Sequence, residues 1–143
     1  PDLLITHPPE DYHPDHKTTS RLVMDAAQVA RTANYPSQYA PHREIMPIAF
    51  MESERGIDFL PEDYVDISVV WDIKLKMLLQ HKSQLMPGVY DPTFVPPPID
   101  QNPFVHYVGT VSAFRGLACN VAYAEGFRWW RAANRIVPRR LLP

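Results

Sequence analysis

A short apolar run stopped by two prolines sets the architecture at the start of this chain. Residues 3–6 are typical of a buried parallel strand, and Pro8 and Pro9 end it because proline lacks a backbone donor and fixes φ. Pro14 favours a helix start, and the apolar spacing that follows predicts a helix over residues 15–32. Strand, loop and helix in this order form half of a βαβ unit, in which ligands bind at the loop that leaves the strand.

The apolar pattern also predicts which faces are buried. The first helix is expected to bury a stripe at helical spacing, with three further apolar residues beside it. The stripe is Leu22, Ala26, Val29 and Ala33, and the flanking residues are Val23, Ala27 and Ala30. Residues 45–51 read as a second strand, and Pro47 within them favours an edge position or a bulge, since proline cannot donate to a ladder. Residues 53–63 are polar and loop-like.

The second half of the chain predicts two more helices and a closing strand. Residues 65–68 lead into a helix that ends near His81, with a core stripe of Trp71, Leu75, Leu78 and Leu79. A third helix is predicted over residues 105–120 and a closing strand over residues 121–130. Between the helices, residues 86–103 form a long proline-rich loop, of a length typical of functional or disordered segments.

Composition excludes several classes of function. The net charge of −2 provides no electrostatic attraction to nucleic acid. No run reaches the roughly 18 apolar residues of a membrane span. With 16 prolines and only 5 glycines, the chain has no glycine-rich phosphate loop. Cys119 is the single cysteine, so there is no disulfide framework, which is compatible with a cytoplasmic location.

The segment from His13 to His16 is the strongest candidate for chemistry. Its two imidazoles lie three residues apart at the mouth of a helix, which puts both on one side of the first turn. Glu10, Asp11 and Asp15 surround them, and imidazole with carboxylate suits a metal site for hydrolysis. The alternative is a solvated loop in which Asp15 serves only as the helix N-cap.

Three segments, in the same order along the chain, carry a resemblance to a known family. They are THPPEDYHPDHKTTSR (residues 6–21), YVDIS with Lys74 and HKSQ (residues 64–84), and RG with YAEGFR (residues 115–128). The first resembles the second signature of the PIG-L/LmbE deacetylase family, and the others resemble its VDIS…K…HxSQ stretch and its RG…YAEAF ending. The resemblance covers residues from about 3 to 128.

This resemblance implies a Rossmann-like α/β fold and a zinc-dependent N-deacetylase. The family removes acetyl from N-acetylglucosamine-type conjugates, so an N-acetylated amino-sugar conjugate is the implied substrate and one Zn²⁺ the implied cofactor. His16 matches the zinc-ligating histidine. His13 matches the histidine that stabilises the oxyanion or protonates the leaving amine, and Asp15 matches the acid that orients or tunes it. Related enzymes often form symmetric oligomers, which implies a homo-oligomer.

The chain also departs from the family. The AHPDDE-like first motif, which supplies two zinc ligands and the general base, has no counterpart here. We therefore expect residues 1–131 to be the C-terminal part of a deacetylase-like α/β domain, lacking the first strands and helices, with residues 132–143 as a tail. We also expect the chain alone to bind zinc poorly and to be inactive. A site completed by Glu10 or Asp11 is the alternative.

Four further residues have two readings each. His7 could approach the metal or form loop hydrogen bonds, and His81 could contact substrate or cap its helix. Arg115 and Arg128 could bind a phosphate or carboxylate of the substrate, or form ion pairs involving Glu125.

Two rival functions stay open beside the deacetylase. A chain with two or three strands cannot cover a parallel sheet by itself, so it could be a non-catalytic fragment or a domain half that docks onto a partner. A carbohydrate-binding module is the third reading, and it predicts sugar affinity that is indifferent to chelator.

Overall fold

A computed structural model describes residues 1–53, 56–81, 85, 93, 95, 98–132 and 135. The chain divides into two compact units, one formed by Pro1–Asp63 with Phe127–Pro143 and the other by Tyr64–Gly126. The predicted loop over residues 86–103, the HKSQ segment and the predicted tail lie largely outside the described residues. None of the described helices is long and apolar enough to cross a bilayer.

The first unit opens with the predicted strand, loop and helix. Strand β1 (Leu4–Thr6) is followed by helix α1 (Pro14–Val29) and strand β2 (Ile48–Met51). β1 and β2 are parallel, with Leu4 opposite Ile48, so the three elements complete a βαβ unit. The fold is therefore the mixed α/β class that the sequence predicts.

Pro47 has a different place from the one expected. β2 pairs with β1 on one side and, antiparallel, with β4 (Ala124–Trp129) on the other, in the strand order β1-β2-β4-β3, where β3 is Asp63–Asp66. The predicted edge position is wrong. Pro47 precedes the first residue of β2, and its carbonyl oxygen accepts a hydrogen bond from the Leu4 N–H at 3.0 Å, so its missing donor costs the ladder nothing.

The buried face of α1 is rotated from the predicted stripe. Leu22 is 63% exposed, whereas Ser20 and Ala27, seven residues apart and so on one face, are buried. Small side chains let this face lie close to its neighbours, and Ala27 joins a hydrophobic cluster of the first unit: Met46, Ile48, Phe50 and Phe59. Ile5 is 54% exposed while Thr6 is buried, so the predicted burial of this strand holds on one face only.

The second unit contains the other two predicted helices. They are α2 (Trp71–Leu78) and α3 (Pro103–Cys119), and β4 begins after α3 as the closing strand. Asn102 caps α3 by accepting from the N–H groups of Phe104 and Val105, while its own amide donates to the Leu85 carbonyl at 2.9 Å. At the other end of α3, Asn120 takes a left-handed conformation with φ of 58°, which ends the helix.

The packing around α3 predicts that alanine substitutions at two of its glycines change the stability of the fold differently. A Cβ at Gly116 would lie 2.6 Å from the Val121 carbonyl oxygen and 2.8 Å from that of Ala122, and both are backbone atoms that cannot move aside. We expect Gly116→Ala to lower the free energy of unfolding by about 1–3 kcal/mol through overpacking. Urea denaturation followed by circular dichroism measures this.

Gly109, on the same helix, is the matched control. A Cβ there would meet only the Trp71 side chain at 3.7 Å, an ordinary contact. Gly109→Ala should keep or raise stability, by up to about 1 kcal/mol from helix propensity. Equal stability of the two variants would contradict the close approach at Gly116.

Candidate active site

The candidate site is built at the N-terminus of α1, where His13 caps the helix. Its backbone is extended, with φ of −87° and ψ of 130°, and its Nδ1 accepts a hydrogen bond from the Asp15 N–H at 3.1 Å. Pro14 fills the first helical position, which needs no donor. The alternative in which Asp15 caps the helix is therefore wrong, because the capping side chain is His13.

The capping hydrogen bond also decides which nitrogen of His13 can donate. Since Nδ1 accepts from the backbone, the neutral ring carries its proton on Nε2. The side chain is 43% exposed, so this N–H is accessible to a ligand. The Asp15 carboxylate lies 3.9 Å from His13 Nδ1 and is 88% exposed, so the backbone N–H of Asp15 makes the closer contact to the ring.

Asp11 favours the other neutral tautomer in His16, with the proton on Nδ1. The Asp11 side chain is fully buried, and its Oδ1 accepts from the His13 N–H at 2.9 Å and lies 3.0 Å from His16 Nδ1. An ionised carboxylate only accepts, so His16 Nδ1 carries the proton and Nε2 keeps its lone pair. In metal sites, a carboxylate often orients a histidine ligand in this way, by accepting from the ring nitrogen that does not bind the metal.

The sequence did not predict this role for Asp11. The sequence places Asp11 only among the acids near the histidines, with a role as a metal ligand as the alternative. The usable signal was a carboxylate two residues before a helix cap, a position from which aspartate often accepts a backbone N–H.

His7 joins the cluster from the loop that follows β1. Its ring stacks on the His16 ring with centroids 3.9 Å apart and planes 2° apart. Burial is the main cause that lowers the pKa of His7, and the neighbouring imidazole of His16 lowers it further against the opposing charge of Asp11. His7 is thus biased towards the neutral form that a metal ligand requires.

His7, Asp11 and His16 form a group that could hold a metal ion, since one ligand atom from each lies within 4.8 Å of the others. Asp11 Oδ2 is buried without a hydrogen-bond partner in the described part of the chain, which fits a nearby cation. The stacked rings limit the fit, because imidazole lone pairs lie in the ring plane and two parallel planes do not meet at one ion. His16 could therefore hold a metal through Nε2, whereas His7 would first have to rotate.

A cavity of about 380 Å³ adjoins this cluster in the first unit. Its lining includes acidic, aromatic and basic side chains: Glu10, Asp11, Tyr12, Asp58, Phe59 and Arg128. Among the predicted substrate-binding residues, Arg128 lines this cavity, where its Nη2 donates to Glu10 Oε2 at 2.6 Å.

Arg115 and His81 belong to the second unit and not to this cluster. Arg115 is buried on α3, with its guanidinium 5.1 Å from the Phe114 ring centroid, and His81 is exposed beyond the end of α2. The Glu125 carboxylate, the alternative partner for the arginines, pairs with Lys74 at 2.8 Å.

Comparisons with known proteins bear on this geometry. No family model matches the chain. A diacetylchitobiose deacetylase of Thermococcus kodakarensis is 27% identical over 126 residues, which cover 85% of this chain and 41% of that protein. The predicted resemblance is confirmed. In sequence and fold, the chain is similar to LmbE-like deacetylases.

Solved structures give the same fold. A conserved protein of Thermus thermophilus matches with a TM-score of 0.70 and 25% identity, covering 90% of this chain and 51% of its own. An inhibitor complex of N,N'-diacetylchitobiose deacetylase from Pyrococcus horikoshii matches with a TM-score of 0.66 and 25% identity, covering 91% and 46%. This chain therefore spans about half the length of these LmbE-like relatives, or less.

A third structure shows that this fold alone does not identify the reaction. A 4-carboxy-2-hydroxymuconate hydratase of Pseudomonas putida matches with a TM-score of 0.66 and 22% identity, covering 100% of this chain and 55% of its own. Since the LmbE-like fold is shared with a hydratase, the reaction must be argued from the site residues.

The double role of Asp11 Oδ1 generates a prediction. Asp11→Ala leaves the His13 N–H and His16 Nδ1 without their shared acceptor, so we expect the free energy of unfolding to fall by about 1–3 kcal/mol. In ¹⁵N NMR spectra of the histidine rings, His16 should lose its single Nδ1–H tautomer. Asp25→Ala, which removes an exposed carboxylate of α1, is the control and should change neither readout. An unaltered His16 tautomer in Asp11→Ala would refute the positioning role.

Proposed function

We propose that this chain carries part of the active site of a zinc-dependent hydrolase that removes the acetyl group from an N-acetylglucosamine-type conjugate. One observation carries the proposal: two neighbouring imidazoles, 4.8 Å apart between ring centroids, present opposite chemistry, an Nε2–H donor on His13 and an Nε2 lone pair on His16. The deacetylases of Thermococcus kodakarensis and Pyrococcus horikoshii, which are named for diacetylchitobiose, support the substrate class.

Each residue then has a distinct task. His16 holds the metal, and Asp11 keeps the His16 ring oriented and its proton on Nδ1. Zn²⁺, when bound, polarises the amide carbonyl and lowers the pKa of a water molecule. His13 donates a hydrogen bond from its Nε2–H to the carbonyl oxygen as negative charge develops there. Asp15 supplies the backbone N–H that fixes the His13 tautomer.

The cluster does not supply every group that the reaction needs. A catalytic zinc has about three protein ligands, and the proton of the attacking water needs a base. Asp11 Oδ1 is engaged with His13 and His16, and His7 is stacked. The proposal therefore includes further ligands and a carboxylate base from residues outside this cluster.

Carbohydrate binding without catalysis is the second candidate. The cavity beside the cluster favours it, because Tyr12 and Phe59 offer aromatic faces and Glu10 and Asp58 offer carboxylates, the groups that bind sugar hydroxyls. In this case sugar affinity would be the same with and without a chelator.

Metal binding tests the roles of the two stacked histidines. We expect the isolated chain to bind Zn²⁺ weakly, with His16→Ala abolishing the interaction and His7→Ala changing the affinity by less than about threefold. NMR titration of the histidine rings measures this, and His106→Ala, an exposed histidine of α3, is the control. Tight stoichiometric binding that requires both His7 and His16 would instead establish the complete set His7, Asp11 and His16 as the ligands.

Release of free amine from N,N'-diacetylchitobiose tests the reaction itself. We expect no zinc-dependent release by the chain alone, and zinc-dependent release once the chain is extended at Pro1 by the reading frame upstream of it. In the extended protein, His16→Ala and chelator should abolish activity, and His13→Ala should lower kcat by about 10²–10³, the usual loss for one oxyanion donor. Activity that survives both His16→Ala and chelation would refute the metal-dependent mechanism.

A further inference from the structure

An ion pair inside the cavity joins two distant parts of the sequence. Glu10 lies in the loop after β1 and Arg128 in β4, and Glu10 Oε2 accepts from Arg128 Nη2 at 2.6 Å. Arg128 is held in place, with its guanidinium 5.8 Å from the Phe50 ring centroid and 5.5 Å from that of Phe59. Its side chain is 27% exposed, whereas that of Glu10 is 69% exposed. Glu10 is thus the partner that can swing into solvent.

We propose that the Glu10–Arg128 pair selects substrates by charge, so that the cavity accepts neutral sugar conjugates and disfavours those that carry a phosphate or carboxylate. This rests on the proposed function for the substrate class, N-acetylated amino sugars. Glu10 acts as an internal anion that already occupies the guanidinium. An anionic conjugate must displace Glu10 before it can use Arg128, whereas a neutral sugar need not.

The other described lining residues point the same way. Glu10, Asp11 and Asp58 place three carboxylates around the cavity, against the single guanidinium of Arg128 among the described residues that line it. A ligand phosphate entering this space meets like charge on several sides. Sugar hydroxyls, by contrast, donate to carboxylates, and the Phe59 ring offers an apolar surface for the face of a sugar ring.

Binding of two matched sugars tests the proposal. N-acetylglucosamine and its 6-phosphate differ only in the phosphate, and their affinities for the chain are measured by NMR titration in the presence of chelator. We expect the wild type to bind the neutral sugar more tightly. Glu10→Gln should raise affinity for the 6-phosphate about threefold to tenfold, consistent with removal of a partly exposed ion pair and a repelling charge, and change that for the neutral sugar less than twofold. The gain should shrink at high ionic strength.

Two further variants make the assignment specific. Glu62→Gln breaks another glutamate–arginine pair of the first unit, Glu62 with Arg131 at 3.0 Å, and changes the net charge equally, so it should leave the sugar preference unaltered. Adding Arg128→Gln to Glu10→Gln should cancel the gain for the 6-phosphate. Equal effects of Glu10→Gln and Glu62→Gln, or absence of binding of N-acetylglucosamine to the wild type, would overturn the proposal. Because chelator is present throughout, these results are independent of zinc binding and hydrolysis.

Discussion

The site depends on one buried carboxylate oxygen. Burying an aspartate is costly unless its oxygens find donors, and Asp11 Oδ1 finds two, the His13 N–H and His16 Nδ1. These contacts tie the loop after β1 to the first turn of α1. They also hold His16 against the ring of His7, which the same loop carries. Removing the carboxylate would therefore disturb the loop, the helix cap and the candidate metal ligand together.

Long-range pairing completes the cavity. Arg128 lies opposite Phe50 in the β2–β4 ladder, and this register brings its guanidinium to Glu10, 118 residues earlier in the chain. The two aromatic rings beside it restrict where the guanidinium can point, while Glu10 provides its charge partner. Sheet register thus brings Arg128 to the cavity, whereas Glu10, Asp11 and Tyr12 come from one local segment.

This difference explains what the sequence could predict. The extents of α1 and α3, the cap region at Pro14 and the proximity of His13 to His16 follow from local spacing, and all were predicted. The buried face of α1 was predicted only in part. Ala27 was expected beside the apolar stripe, whereas Ser20 is buried by what packs on it and not by its own hydrophobicity. The stacking of His7 on His16 likewise depends on the path of a loop. Local patterns carry no information on either.

The fold itself leaves the reaction open, since a hydratase shares it. What narrows the choice is the pair of tautomers at the helix N-terminus. A backbone N–H forces His13 to keep its proton on Nε2, and a buried carboxylate forces His16 to keep its proton on Nδ1. Had both rings met the same kind of partner, the cluster would present two donors or two ligands. The proposed hydrolysis would use one of each, because the same carbonyl oxygen would lie near the cation and receive a hydrogen bond.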